Sequence, residues 1–450
     1  MKTLFMKYSR PGPRYTSYPT APHWSDEIGV ETYKETLRTS DPSVPLALYA
    51  HIPFCESLCY YCGCNIKITH DAAVSNPYVD ALIAEIDSVS EALGSRRHLS
   101  QISWGGGTPT FLPVAEIQRL QRHTLRHFDL EDDAEVSIEI DPRVTSQEQL
   151  RTLRQEGFNR VSLGVQDFDP EVQQAVNRIQ SPEMTQEMLE FCRSLGYRGI
   201  NFDLIYGLPF QTLDRFTKTI DRVIGMRPDR IALYNYAHLP SLRPHQRILE
   251  KNPMPQVEER VAIFTLAYEQ LLAAGYVAIG MDHFALPDDE LSLALNRGTL
   301  YRNFMGYTVK RGTHLLGIGA SAIGEINGGF FQNLREVGPY QRAVHQDGFA
   351  TFRGCLLSDD DRRRKWIIQN LMCRFEVPFT LYRQQFDEDF EVRYDEELNA
   401  LEELDQDGLL ERDASCVRCT PLGRLFVRNA AMVFDSYLKN EKTTAYSKTL

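Results

Sequence analysis

From about residue 45 the chain settles into a rhythm of short apolar runs and longer amphipathic stretches. The runs are PLALYAHIP, HLSQISWGGG, EVSIEIDP, RVSLGVQDF, GINFDLIYGLP and RIALYNYAHLP. Between them, segments such as VDALIAEIDSVSEAL, PVAEIQRLQRHTLRHF and QEQLRTLRQEG place apolar residues at helical spacing. Apolar strands alternating with helices predict parallel βα units covered on both faces, six of them over residues 45–240. The expected fold is therefore α/β, a partial (β/α)6 TIM-like barrel of parallel strands. Two later runs, YVAIGMDHFA and HLLGIGASAIGEI, are candidates to close the barrel or line its mouth. Repeated prolines in RPGPRYTSYPTAPHW are incompatible with a helix interior and predict an extended N-terminal arm over residues 1–40. Past residue 350, DDDRRRKWIIQNLMCRF and DEELNALEELDQDGLLER predict helices, and CTPLGRLFVRNAAMVFDSYL a short hairpin and a last helix. The division is an arm (1–40), a barrel (41–345) and a mainly helical C-terminal domain (346–450).

Composition narrows the function classes. At 450 residues, 42% hydrophobic and 24% charged, the chain is that of a folded globular protein. It has no uninterrupted apolar stretch near the roughly 18 residues of a membrane span. MKTLFMKYSRPGPRY lacks the apolar core of a secretory signal, so the expected location is cytoplasmic. A net charge of −12 argues against nucleic acid as the main partner. Cys55, Cys59, Cys62 and Cys64 fall within ten residues while the other five of nine cysteines are scattered, which suggests a metal rather than a disulfide framework.

The chemistry concentrates in HIPFCESLCYYCGC. Cys55, Cys59 and Cys62 stand in CxxxCxxC spacing after a strand, which can wrap three thiolates around one face of a cubic iron–sulfur cluster. An electron-carrier cluster uses four thiolates, so three leave one iron open to a ligand. Structural zinc is the competing reading, but it asks for a matching second knuckle, and Cys416 and Cys419 form only a lone pair. In a parallel barrel the C-terminal strand ends carry the chemistry, and Cys55, Gly105 to Gly107, Glu139, Gln166 and Asp203 fall there. Asp203 sits in an otherwise apolar strand, where an unpaired charge is costly. The glycine triplet alone equally suits a plain loop, and Glu139 a solvated strand position. His51, His238 and His283 read equally well as structural histidines. RRRK at 362–365 reads as a solvated helix face.

With an aromatic residue, Tyr61, before the third cysteine, this motif resembles the radical S-adenosylmethionine superfamily. GPRYTSYPTA, WGGGTPT, EIDPR, GVQDF, VNR, DLIYGLP, NYAHLP, GMDHFA and LLGIGASAI extend the likeness to the oxygen-independent coproporphyrinogen III oxidase family over nearly the whole chain. The resemblance implies that Cys55, Cys59 and Cys62 ligate a 4Fe–4S cluster and that Tyr61 packs near the cofactor adenine. It implies two molecules of S-adenosylmethionine, contacted by Tyr49, Gly106, Gly107, Thr108, Glu139, Gln166, Arg178, Asp203, Ala237 and Ile323. Glu139 is counted with the three cysteines in the catalytic group. The implied reaction is anaerobic oxidative decarboxylation of two propionates of coproporphyrinogen III, giving protoporphyrinogen IX in haem biosynthesis. A reduced flavodoxin or ferredoxin-like electron donor and a monomeric state are further expectations. The substrate carries four carboxylates while the chain is net negative, so Arg10 and Arg14 of the arm are expected to meet them, unless the arm merely packs on the barrel. A haem chaperone or another haem-related enzyme of the superfamily is the alternative. The relatives associated with haem delivery usually lack the fourth cysteine and the Tyr-rich arm, so Cys64 and the arm favour the oxidase, although the spacing assigns Cys64 no role.

Overall fold

A computed structural model of the chain describes residues 2–95, 97–440, 446, 448 and 449. The N-terminal segment departs from the expected extended arm. Two helices, α1 (Lys2–Tyr8) and α2 (Val30–Arg38), flank the proline-rich stretch. The prolines are confined to residues 11–22, and the segments on either side contain none. The stretch between them lies along the C-terminal region: Arg428 Nε donates to the Pro13 carbonyl at 2.8 Å, and the Tyr15 hydroxyl donates to Asp435 at 3.0 Å.

Six parallel strands follow in sequence order. They are β1 (Leu46–Ile52), β2 (Arg97–Gly106), β3 (Phe128–Ile140), β4 (Arg160–Gln166), β5 (Gly199–Tyr206) and β6 (Arg230–Asn235). Each pairs in parallel with the one before it. Helices α3 (Ser75–Leu93), α4 (Val114–His127), α5 (Gln147–Gln155), α6 (Pro182–Ser194) and α7 (Leu213–Met226) connect them. Helix starts follow local chemistry: Ser146 and Gln149 form a reciprocal capping box at α5, and Ser181 and Thr212 cap α6 and α7.

The two later apolar runs do not close a barrel; they lengthen the sheet at opposite edges. Beside β6, β7 (Val277–Gly280) and β8 (His283–Ala285) add an antiparallel hairpin. Beside β1, β9 (His314–Ile318) pairs in parallel, followed by antiparallel β10 (Ile323–Ile326), β11 (Gly329–Asn333) and β12 (Thr351–Leu356). The result is an open twelve-stranded sheet. Beyond it come helix Asp359–Arg374, several short helices and a three-stranded antiparallel sheet. One hydrophobic cluster runs from Phe5 through the strands to Phe434, so this helical region shares its core with the sheet.

Strand alternation decides which residues reach the site. In β4, Val161, Leu163 and Val165 are buried, while Ser162, Gly164 and Gln166 line the central cleft. In β5, Ile200, Phe202 and Leu204 are buried while Asp203 and Ile205 line it. A period of two thus separates a helix-covered face from a face that holds the cleft. Cover on both faces was expected, whereas these positions of β4 and β5 face the cleft.

Candidate functional site

The cleft, of about 780 Å³, opens at the C-terminal ends of the parallel strands. Its floor is the loop after β1 that carries Cys55, Cys59 and Cys62. The end of β2 holds this loop against the sheet: the Gly107 N–H donates to the Ile52 carbonyl and the Thr108 N–H to the Phe54 carbonyl, both at 2.8 Å. This gives the glycine triplet a packing role beside the ligand contact expected of Gly106 and Gly107. A Cβ on Gly107 would lie 2.7 Å from the Phe54 carbonyl oxygen, and one on Gly106, whose φ is 115°, 2.6 Å from the His51 ring. A Cβ on Gly105 would strike the Glu139 carboxylate. The glycines first permit protein to pack on protein, although Gly106 and Gly107 also line the cleft.

Among the described residues, the one trio of histidine, cysteine or acidic side chains whose ligand atoms all lie within 4.8 Å of one another is elsewhere, on α3 and α4. The three cysteine sulfurs are therefore spread more widely than ligands on a single ion, which suits a cluster better than zinc. Cys64 turns towards Cys62. Hydrogen bonding by the Cys64 thiol, opposed by burial and assisted by its N–H at 3.4 Å, draws the Cys62 thiol down to about 7. Burial pushes the Cys55 thiol up to about 11, against its 3.5 Å contact with the Thr108 hydroxyl.

Cations surround Cys59. Arg178 Nη1 lies 3.7 Å and Arg143 Nη2 3.6 Å from its sulfur. Both guanidinium groups converge on Asp141 Oδ2, at 3.0 and 2.6 Å. Burial works to raise the Asp141 carboxyl, but Arg178 and then Arg143 outweigh it and hold it below the usual range. Arg178 also donates to the Gly164 carbonyl at 2.6 Å, where a Cβ would meet its guanidinium at 2.8 Å. These positive groups would offset negative charge gathered at the three cysteines.

Across the cleft, Glu139 Oε2 accepts the Gly106 N–H at 3.0 Å. Its side chain is open to the cleft yet ringed by protein. Burial, followed by repulsion from Asp203, raises its carboxyl to about 7. Asp203 is not the unpaired charge that its apolar strand suggested. Ser162 Oγ donates to it at 2.8 Å and Asn201 Nδ2 at 2.9 Å, although burial still raises it. Asn235 Oδ1 and Arg178 Nε lie buried at the cleft wall with no hydrogen-bond partner, as a wall waiting on a polar ligand would.

Of the expected site residues, Cys55, Cys59, Tyr61, Cys62, Gly106, Gly107, Thr108, Glu139, Gln166, Arg178, Asp203 and Ala237 line this one cleft. Tyr49 and Ile323 do not; the Tyr49 hydroxyl pairs with His51 Nδ1 at 3.1 Å, and Ile323 packs near Trp24 and Phe330. The arm arginines are not brought to it either. Arg10 Nε donates to Asn429 at 3.0 Å, and Arg14, still about one-third exposed, is held in an ion pair with Asp282. His51, His238 and His283 all have protein partners, in the Asn65 carbonyl, Glu250 and Asp282.

The sequence reading missed the segment that grips the cluster loop from β6. Arg243 donates to the Gly63 carbonyl at 3.0 and 2.7 Å. His245 pairs with the Cys62 carbonyl at 2.8 Å, and Gln246 donates to the Tyr61 carbonyl at 2.9 Å. Three consecutive carbonyls are thus held by LRPHQ, a stretch with no periodicity to flag it.

Comparison with known proteins follows this geometry. The radical SAM superfamily model matches residues 49–223, and the HemN C-terminal domain matches residues 357–426. An oxygen-independent coproporphyrinogen III oxidase of Pseudomonas aeruginosa is 45% identical over 99% of this chain and 98% of its own length. One from Escherichia coli is 44% identical over 97% of this chain and 95% of its own. A solved structure of coproporphyrinogen III oxidase from Escherichia coli, described as a radical SAM enzyme, aligns with a TM-score of 0.93 at 42% identity. It covers 97% of this chain and 98% of that one.

Proposed function

This chain belongs to the oxygen-independent coproporphyrinogen III oxidases, and on that premise we propose how its cleft serves the reaction. The substrate is coproporphyrinogen III, and two of its propionates become vinyl groups, giving protoporphyrinogen IX in haem biosynthesis. Each conversion removes one hydrogen atom, one carbon dioxide and one further electron, which passes to a separate one-electron acceptor. The 4Fe–4S cluster and S-adenosylmethionine, when bound, supply the 5′-deoxyadenosyl radical that takes the hydrogen.

The residues divide the remaining work. Cys55, Cys59 and Cys62 hold the cluster. Arg143 and Arg178, fixed by Asp141, offset its charge, and Arg178 offers a planar fork to a carboxylate. Glu139, Gln166 and Asp203 hold cofactor amino and hydroxyl groups, and Gly106, Gly107, Thr108 and Ala237 shape the wall beside them. Tyr61 presents an aromatic face to the adenine. Two cofactor molecules would share the cleft, which Tyr49 and Ile323 do not line. Arg243 and Arg335, both at the cleft, meet substrate carboxylates, while Arg14 stays outside the lining, 5.5 Å from the ring centroid of the lining residue Tyr234. Residues 1–40, 41–345 and 346–450 act as arm, cofactor-binding body and helical cover. The electron comes from a reduced flavodoxin or ferredoxin-like protein, and the enzyme works anaerobically, as a monomer, in the cytoplasm. Among the described residues no helix is long and apolar enough to cross a membrane.

The observation that carries this reading is the three-cysteine loop lying beneath a single cleft lined by both carboxylates and arginines. The test is isotopic. With coproporphyrinogen III deuterated at the propionate β-carbon, reductant and S-adenosylmethionine, deuterium is expected in 5′-deoxyadenosine. Unlabelled 5′-deoxyadenosine alongside vinyl product would contradict it.

A further inference from the structure

On the outer helical layer, α3 and α4 run side by side and are linked by a ladder of polar contacts. Asn76 donates to Glu116 at 3.0 Å, and Asp80 pairs with Arg119. Further along, the ladder changes character. His123 and His127, one helical turn apart on α4, both turn Nε2 onto the same oxygen of Asp87 on α3, at 2.7 and 2.8 Å. The imidazole rings are 4.9 Å apart, and the three ligand atoms lie within 4.8 Å of one another. Behind His127, Ser90 Oγ lies 3.1 Å from Nδ1.

We propose that Asp87, His123 and His127 bind a divalent transition-metal ion, of which zinc is the fitting probe. Two imidazoles and a carboxylate are a common three-ligand set for zinc, with water in the fourth position. Imidazole ligands select zinc, nickel, cobalt or copper over magnesium or calcium. The spacing supports this set: ligands on a tetrahedral ion stand somewhat farther apart than hydrogen-bonded atoms, so the trio opens by a fraction of an ångström to admit the ion. Binding needs the lone pair on each Nε2, so each ring proton moves from Nε2 to Nδ1. On His127 the Ser90 oxygen stands ready to accept that N–H, the outer partner that metal-bound histidines usually have. The partial exposure of all three side chains leaves an entry path, with Asp87 about half exposed and His123 largely covered. The ion would pin α4 to α3, the first α-helix after the three-cysteine loop.

The alternative is a hydrogen-bonded trio in which both rings keep the proton on Nε2. The experiment separates the two on the cluster-loaded protein, handled anaerobically so that Cys55, Cys59 and Cys62 are occupied by iron. Protein passed over a chelating resin is incubated with zinc, gel-filtered, and assayed for zinc and iron together. The wild type is expected to keep about one zinc per chain above its iron. His127→Gln retains a donor for Asp87 but not the ligand, so it should lose that zinc with iron content unchanged and, compared without zinc, with the melting temperature of the wild type. Ser90→Ala should weaken zinc affinity by roughly ten- to a hundredfold. No retained zinc in the wild type, or equal zinc in wild type and His127→Gln, would overturn the proposal.

Discussion

Arg178 donates to Asp141 at 3.0 Å while the same nitrogen stands 3.7 Å from the sulfur of Cys59. The carboxylate therefore sets where a cation faces Cys59, the proposed cluster ligand. Removing one partner of a buried charge pair leaves the other uncompensated, typically at a cost of about 3–5 kcal/mol. Asp141→Asn should destabilise the protein towards the lower end of that range in denaturant unfolding. With one negative charge gone beside it, the cluster should also become easier to reduce, seen as a more positive midpoint in a redox titration. An unchanged midpoint would show that Asp141 does not govern the field at Cys59.

The grip on the cluster loop from Arg243 to Gln246 yields a second expectation. Gln246 is buried and donates to both the Tyr61 and Ala237 carbonyls. Losing it leaves buried carbonyls unmatched at about 1–3 kcal/mol. Gln246→Ala should still assemble the cluster but release iron to a chelator faster, by roughly tenfold or more. Arg243→Ala, at a more exposed contact, should have a smaller effect in the same direction.

Glu139 yields a pH dependence. Its carboxyl titrates near 7 rather than near the ordinary 4.5, because burial and the Asp203 charge disfavour ionisation. The protonated form is thus favoured in the fold, and the folded state loses stability as pH rises from about 4.5 to about 7. In the proposed role, by contrast, it is the carboxylate that would hold a cofactor amino group. S-adenosylmethionine affinity should therefore strengthen as pH rises through 7, measured by equilibrium binding to the cluster-loaded protein. Glu139→Gln should bind more weakly and with no step at that pH.

Cys64 separates ligands from neighbours. Cys55→Ala, Cys59→Ala and Cys62→Ala should each abolish the brown iron–sulfur absorbance of anaerobically purified protein. Cys64→Ser should keep iron near the wild-type value, since Cys64 approaches Cys62 as a hydrogen-bonding neighbour. Loss of the cluster in Cys64→Ser with retention in one of the other three would reassign the ligands.

The strands and the cleft were legible because both rest on local pattern. Alternation in RVSLGVQDF and GINFDLIYGLP already separates Val161 and Leu163 from Ser162, and Phe202 from Asp203, and the structure puts these sets on opposite faces. What escaped depends on contacts between distant segments. Arg14 looked like a free cation in a proline-rich arm, but its partner Asp282 is 268 residues away. Asp141 and Arg143 stood in plain view in EIDPR, yet nothing local shows that Arg178 joins them. Gln246 grips a loop 185 residues earlier, a relationship that no periodicity encodes. The partial barrel was legible, but the edge that each later run joins was not, for the same reason: an apolar run predicts a strand, whereas its neighbours are decided by pairing.

The most direct test is turnover. Reconstituted protein, incubated anaerobically with coproporphyrinogen III, a strong reductant and S-adenosylmethionine, should give protoporphyrinogen IX through a monovinyl tripropionate intermediate, resolved by chromatography and mass spectrometry. Cys59→Ala should give neither. S-adenosylmethionine cleavage with coproporphyrinogen III left intact would contradict the assignment.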